Sequence, residues 1–531
     1  MEIENLIGQK LLFAFKGKQT LSPEIVTAFK KYRPSGITLF RPFNVGTLEE
    51  LKNLNESLQT LARELNLQPL LIVTDQEGGQ LMAVGDGTLL PGNMALGATR
   101  SRELARKAGK VLGRELAALG INVNYAPCVD VNINPQNPVI GVRSFGEDPQ
   151  LVAKLSSAMI EGIQSQGVAA TAKHFPGHGD TESDSHHALG TVSHSIQRLH
   201  SVELIPFSSA IQADAKLIMT AHLGIISIDG ENPPPATLSK NILTKLLREE
   251  LGYEGVVITD AMDMHAIRQG ELLGEDAILA VQAGADILMA TTDPQDQARI
   301  AESLLNAAKN GKLDIDELKI SYERIIKLKG WLSNKETTPE LNVIRCEEHL
   351  AIADEIAEKS ITLVRDEKKL LPLELESNQR IAVVVPKPLD LTPADTSSYI
   401  TPQLANSIRQ FHPNTDEFII SYAPEEQERN DLLEKLKNYD LIVIGTINAY
   451  TERKQAEFVN QTLGLNILTI VIAMRLPYDL AVVPQVSTYL CTYSILEPSM
   501  KAVAKAIFGR NEITGQLPVS IPGIIEAEVY P

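Results

Sequence analysis

Eight short apolar runs punctuate the first 290 residues, and each ends in a polar or glycine-bearing turn. They are Leu11–Phe15, Gly36–Phe40, Leu70–Thr74, Val123–Ala126, Ala169–Ala172, Leu217–Thr220, Gly255–Thr259 and Ile287–Ala290. Four or five residues is the length of a strand. Between them lie longer stretches, such as Ser101–Ala118, Pro149–Gln166 and Lys240–Glu250. Their apolar residues recur at three- and four-residue spacing and predict helices. Strand followed by helix, eight times over, predicts an α/β fold with an N-terminal (β/α)8 TIM-type barrel. A doubly wound open sheet shares the rhythm and stays the alternative.

A chain of 531 residues is too long for one ordinary domain. The barrel is expected over residues 1–332. The segment SNKETTPEL, Ser333–Leu341, is polar and carries a proline, so residues 333–345 read as a linker. Residues 346–531 are expected to form a smaller α/β sandwich domain around a mostly parallel sheet. Its strand candidates are Ile381–Val385, Phe418–Ser421, Leu441–Ile444, Ile467–Ile472 and Val486–Thr492, with helices Cys346–Ser360 and Met500–Phe508.

Composition excludes some classes of partner. Sixty-seven acidic against 49 basic residues give a formal net charge of −18. No nucleic-acid or anionic-membrane partner is expected, since either needs clustered Lys and Arg. The three cysteines, Cys128, Cys346 and Cys491, are far apart, so reduced thiols and no disulfide framework are expected. No basic segment followed by a long apolar run opens the chain, and no run of about 18 apolar residues occurs in it. A cytoplasmic protein without a membrane span is the simplest reading. The sequence does not set the oligomeric state.

In a barrel of this kind the reactive groups stand at the carboxyl ends of the strands. The predicted strand ends carry Asp75, Asp130, Lys173, His174, His222 and Asp260. Any one of the aspartates could instead cap a helix. The densest cluster is KHFPGHGDTESDSHH, Lys173–His187, with four of the ten histidines. Pro176, Gly177 and Gly179 make it a long loop. It reads as a solvated polar loop, as a zinc-type metal site, or as an Asp–His pair. For the last, Asp184 and His186 are two apart and can meet on one side of an extended segment. A carboxylate bonded to one ring nitrogen fixes the tautomer and stabilises the imidazolium, and a histidine so held exchanges protons at neutral pH. Covalent catalysis beside such an acid/base also needs a nucleophile on the other face of the substrate. Asp260, at the end of an apolar run and ahead of a predicted helix, is the best candidate. Asp263 reads as a surface or capping residue. The glycines flanking the loop suggest a Pro176–Gly179 hinge.

In this order, DQEGG, IGVRSFGEDP, KHFPGHGDTESDSH, TAH and VVITDAMDM resemble the family 3 glycoside hydrolases, specifically the bacterial β-N-acetylglucosaminidase branch. LVRDEKKLLPL and GQLPVSIP are similar to that family's second domain. The resemblance implies a retaining exo-β-N-acetylglucosaminidase acting by double displacement through a covalent glycosyl-enzyme. Asp260 would be its nucleophile and His186, paired with Asp184, its acid/base. Asp75, Arg143, Lys173 and His174 would hold sugar hydroxyls of a small carbohydrate substrate; for Arg143 the competing reading is an ion pair with Glu147 or Asp148. No cofactor and no metal ligand set is implied. The family usually places an arginine after EGG and another three residues later; here Gln80 and Ala83 stand there. The rival readings are a β-N-acetylglucosaminide phosphorylase, a β-glucosidase of the same family, a metal-dependent barrel hydrolase and a sugar-binding protein without turnover.

Overall fold

A computed structural model describes residues 2–181, 189–334 and 338–530. All eight early runs are parallel strands of one sheet: β1 Leu11–Ala14, β2 Gly36–Leu39, β3 Leu71–Thr74, β4 Val123–Asn124, β5 Ala169–Phe175, β6 Leu217–Thr220, β7 Val256–Thr259 and β8 Leu288–Met289. Their order is β7-β6-β5-β4-β3-β2-β1-β8. The ends meet where Ile258 bridges Ile287, so the sheet closes into a barrel and the open-sheet alternative falls. Alternation divides each strand between two cores. Leu12, Leu71, Val73, Leu217, Met219, Val256 and Ile258 fill the barrel interior, while Leu11, Phe13, Ile72, Ile218 and Val257 pack outward. The helix Ile315–Ser333 places Ile325, Leu328 and Leu332 in the interior cluster.

The strand boundaries differ from expectation in one place that matters. β5 runs through Lys173, His174 and Phe175 rather than stopping at Ala172. The segment after β4 continues the ladder: Thr171 N–H donates to Ala126 O, and Val129 N–H donates to Lys173 O. Lys173 and His174 are therefore strand residues held by backbone bonds, where the run of polar side chains had suggested a loop. The helix expected over Lys240–Glu250 is present as Asn241–Glu250, of the wide π type.

A six-stranded sheet follows: β9 Thr362–Asp366, β10 Ile381–Pro386, β11 Thr415–Ile420, β12 Leu441–Thr446, β13 Leu468–Ala473 and β14 Thr488–Cys491. Its order is β9-β14-β13-β12-β10-β11, parallel except for β9 against β14. β9 is an edge strand with mostly part-exposed side chains, which is why its sequence carries no apolar run. Buried residues of this half share one cluster with Met94, Ala95, Ala98 and Val142 of the barrel half. The C-terminal segment also returns to the barrel: Gln516 N–H donates to Ala98 O, and Glu147 accepts Ser520 N–H at 2.9 Å. Among the described residues no helix is long and apolar enough to cross a membrane.

Candidate active site

The carboxyl ends of the barrel strands surround a cavity of about 640 Å³. Asp75, Arg143, Lys173, His174 and Asp260 all line it. Asp184 and His186 lie outside the described residues, as do Glu182 and His187.

The floor is a chain of charged groups. Lys173 Nζ lies 2.7 Å from Asp75 Oδ1 and 2.6 Å from Glu77 Oε1. The Arg143 guanidinium grips the same Glu77 carboxylate with two donors, Nε to Oε2 at 3.0 Å and Nη2 to Oε1 at 2.8 Å. Such a bidentate pair fixes direction as well as distance. Arg143 Nη2 is also 3.4 Å from His174 Nε2. On the other side of that ring, Nδ1 is 2.8 Å from Asp130 Oδ2. A carboxylate can only accept, so Nδ1 carries the proton and Nε2 faces the guanidinium as acceptor. Asp130 also takes the backbone N–H groups of His174 and His178.

Glu77 is the hub of this network. Burial alone would raise its pKa, but Arg143 and Lys173 outweigh burial and hold the carboxyl at about 2. Burial likewise works against the charge on Lys173, and Asp75 and Glu77 overcome it, so its pKa is raised. Side-chain exposure separates the members. Lys173 and Glu77 are 2% exposed and Arg143 4%, whereas Asp75 is 23% exposed and opens into the cavity.

The competing reading for Arg143, an ion pair with Glu147 or Asp148, does not hold. Glu147 instead holds Ser520, and Asp148 caps the helix Pro149–Gln164. Asp75 and Asp260 are not helix caps either. Asp75 leads into the short hairpin Gln76–Gly78 and Leu81–Met82, and Asp260 leads into turns rather than the expected helix, which begins at Leu273. The backbone beside Asp260 is tied down: His222 Nε2 is 2.9 Å from Ala261 O, and Met262 N–H donates to Met289 O. His222 is fully buried, so this candidate supports the strand end rather than facing the cavity. The charges of Asp75 and Asp260 also act on one buried phenol. Burial pushes the Tyr125 hydroxyl well above its ordinary range, and both carboxylates add to the effect.

The stem of the histidine loop is packed rather than hinged. Pro176–Gly179 is buried, and a Cβ at Gly179 would stand 1.8 Å from Val131 O. Close approach of two backbones, not motion, accounts for that glycine. Burial lowers the His178 pKa to about 4, so its ring is neutral near pH 7. Two groups of described residues have metal-like spacing, Cys128–Asp130–His174 and Asp180–His194–Glu203. In the first, burial pushes the Cys128 thiol far up and Asp130 is committed to His174, so the ligand forms are disfavoured. In the second, Arg198 pairs with both Asp180 and Glu203.

Sequence reasoning missed Glu77 as a site member, although it lies two residues from Asp75 in DQEGG. It also assigned no site residue to the C-terminal half. Asp390, Thr392–Thr396 and Tyr399 line the cavity from that half.

Known proteins bear on this geometry. The family model "Glycosyl hydrolase family 3 N terminal domain" matches residues 3–328. The chain is similar to beta-hexosaminidase A of Pseudoalteromonas piscicida, 30% identical over 97% of this chain and 96% of that protein. It is similar to a beta-N-acetylglucosaminidase/beta-glucosidase of Cellulomonas fimi, 28% identical over 85% of this chain and 83% of that one. Among solved structures, a glycoside hydrolase family 3 beta-N-acetylglucosaminidase from Paenibacillus sp. str. FPU-7 superposes with a TM-score of 0.92, at 36% identity and 98% coverage of both chains.

Proposed function

The chain belongs to glycosyl hydrolase family 3 and is a glycoside hydrolase, and from that premise we propose that it is a retaining exo-β-N-acetylglucosaminidase. The observation that carries the reading is the buried chain Asp75–Lys173–Glu77–Arg143–His174 at the floor of the cavity that Asp260 also lines. It offers fixed donors and acceptors to the hydroxyls of one terminal sugar. The similarity to the Paenibacillus beta-N-acetylglucosaminidase supports N-acetylglucosamine as that sugar.

In the proposed reaction Asp260 attacks the anomeric carbon while His186, oriented by Asp184, protonates the departing oxygen. A glycosyl ester on Asp260 results. His186 then takes a proton from water, the water oxygen bonds to the anomeric carbon, and Asp260 leaves as carboxylate. Two inversions give net retention. Asp75, Lys173, Arg143 and His174 hold the sugar throughout. Asp75 is the member most open to ligand, and Lys173 aims it. Asp260→Ala should lower kcat on an aryl N-acetyl-β-glucosaminide by several powers of ten; near-normal turnover would refute the role. Added phosphate should yield no sugar 1-phosphate, which separates hydrolysis from phosphorolysis.

A further inference from the structure

Gln80 joins the two halves of the molecule. Its Nε2 donates to Ala394 O at 3.0 Å, and its Oε1 accepts from Arg475 Nη2. Its backbone oxygen accepts from both the N–H and the Oγ1 of Thr396, at 2.8 Å each. Arg475, just after β13, also donates from Nη1 to Asp395 Oδ2 at 2.7 Å. Asp395 then organises its own segment: Oδ1 takes the N–H and hydroxyl of Ser397, and Oδ2 takes Leu391 N–H. Gln80, Asp395, Thr396 and Arg475 are all buried. A buried amide and a buried ion pair joined in this way tie the segment 390–399 to the hairpin that follows β3.

That segment forms the outer part of the cavity. Asp390, Pro393 and Tyr399 are exposed, whereas Lys173, Arg143 and His174 at the floor are buried. The gradient sets the terminal sugar deep and its leaving group at the mouth. A volume of about 640 Å³ is that of a site for a ligand larger than one ring. At the mouth stand the Asp390 carboxylate, which accepts the N–H and hydroxyl of Ser398, and the Tyr399 ring, which stacks on Arg41 at 4.0 Å. A carboxylate beside an aromatic face suits a second polyhydroxy ring. Gln80 itself is not among the lining residues.

We propose that Gln80, with Arg475 and Asp395, is a positioning residue that holds segment 390–399 as the wall of a leaving-group subsite taking a second sugar ring. The inference rests on the glycosidase reading of the floor. The test compares methyl N-acetyl-β-glucosaminide with N,N′-diacetylchitobiose on the full chain. For Gln80→Ala, KM for the disaccharide should rise about tenfold with kcat within about twofold, while both constants for the methyl glycoside stay within about twofold. Gln80→Glu keeps an acceptor for Arg475 and should recover most of the disaccharide KM. Should Gln80→Ala fail to fold, Arg475→Lys keeps the buried charge but loses the fork that joins Gln80 to Asp395, and should show the same split. Equal changes for both substrates, or an unchanged disaccharide KM, would overturn the proposal. Wild-type inertness toward both would instead overturn the reading of the floor, and this inference with it.

Discussion

Replacing Glu77 by Gln keeps the shape of the floor and removes the charge that two cations share. Glu77 titrates at about 2 in the folded chain against 4.5 when unperturbed. At about 1.4 kcal/mol per pH unit that interval corresponds to about 3 kcal/mol of stability. The value agrees with the roughly 3–5 kcal/mol lost when one partner of a buried pair is removed. Because the folded pKa is depressed, the contribution is complete above about pH 4.5 and is lost as the pH falls through about 2. Trp331 is the only tryptophan and lies on the helix that packs into the barrel interior, so its emission reports barrel unfolding. Urea titrations at constant ionic strength should show Glu77→Gln less stable by about 3 kcal/mol at pH 7, and by less than half of that at pH 3. An unchanged midpoint at pH 7, or a difference that does not shrink with acid, would refute the assignment of Glu77 as the carboxylate that carries the floor.

Three further outcomes are expected. His178 is held at about 4 while the unfolded ring titrates near 6.5, so the folded state gains from its neutrality above about pH 6.5 and loses about 3 kcal/mol as the pH falls toward 4; in His178→Asn that part of the pH–stability slope, read by Trp331 emission, should vanish. Asp130→Asn leaves His174 Nδ1 without its carboxylate and should lower kcat/KM on an aryl N-acetyl-β-glucosaminide about 10- to 100-fold, and kinetics within about twofold of wild type would contradict it. Gly179→Ala forces a methyl group toward Val131 O and should destabilise the barrel by more than about 2 kcal/mol in the same urea assay, where a hinge glycine would tolerate the change.

The barrel was legible because its strands are short, apolar and bounded by turns, so Leu217–Thr220 was read to the residue and the others to within a few. β5 was misjudged because pairing with the segment after β4 carries Lys173 and His174 into the ladder, and no periodicity in the strand itself records a partner. The site residues on strand ends were legible for the same topological reason, since a barrel gathers them at one rim. Glu77 was within reach: two residues from Asp75, it is a second carboxylate beside the lysine and arginine already singled out. The wall from segment 390–399 was not. Gln80 and Arg475 are nearly 400 positions apart, and nothing in TPADTSSY marks it as facing a barrel.

In the proposed reaction Asp260 becomes covalently bonded to the sugar. Incubation with a fluorinated N-acetylglucosaminide that forms the glycosyl-enzyme faster than it is hydrolysed, followed by proteolysis and mass spectrometry, tests it most directly. The peptide containing VVITDAMDM should carry one added glycosyl group, on Asp260. A glycosyl group found on Asp263, Asp75 or another residue, or turnover of the reagent with inversion and no labelled peptide, would contradict it.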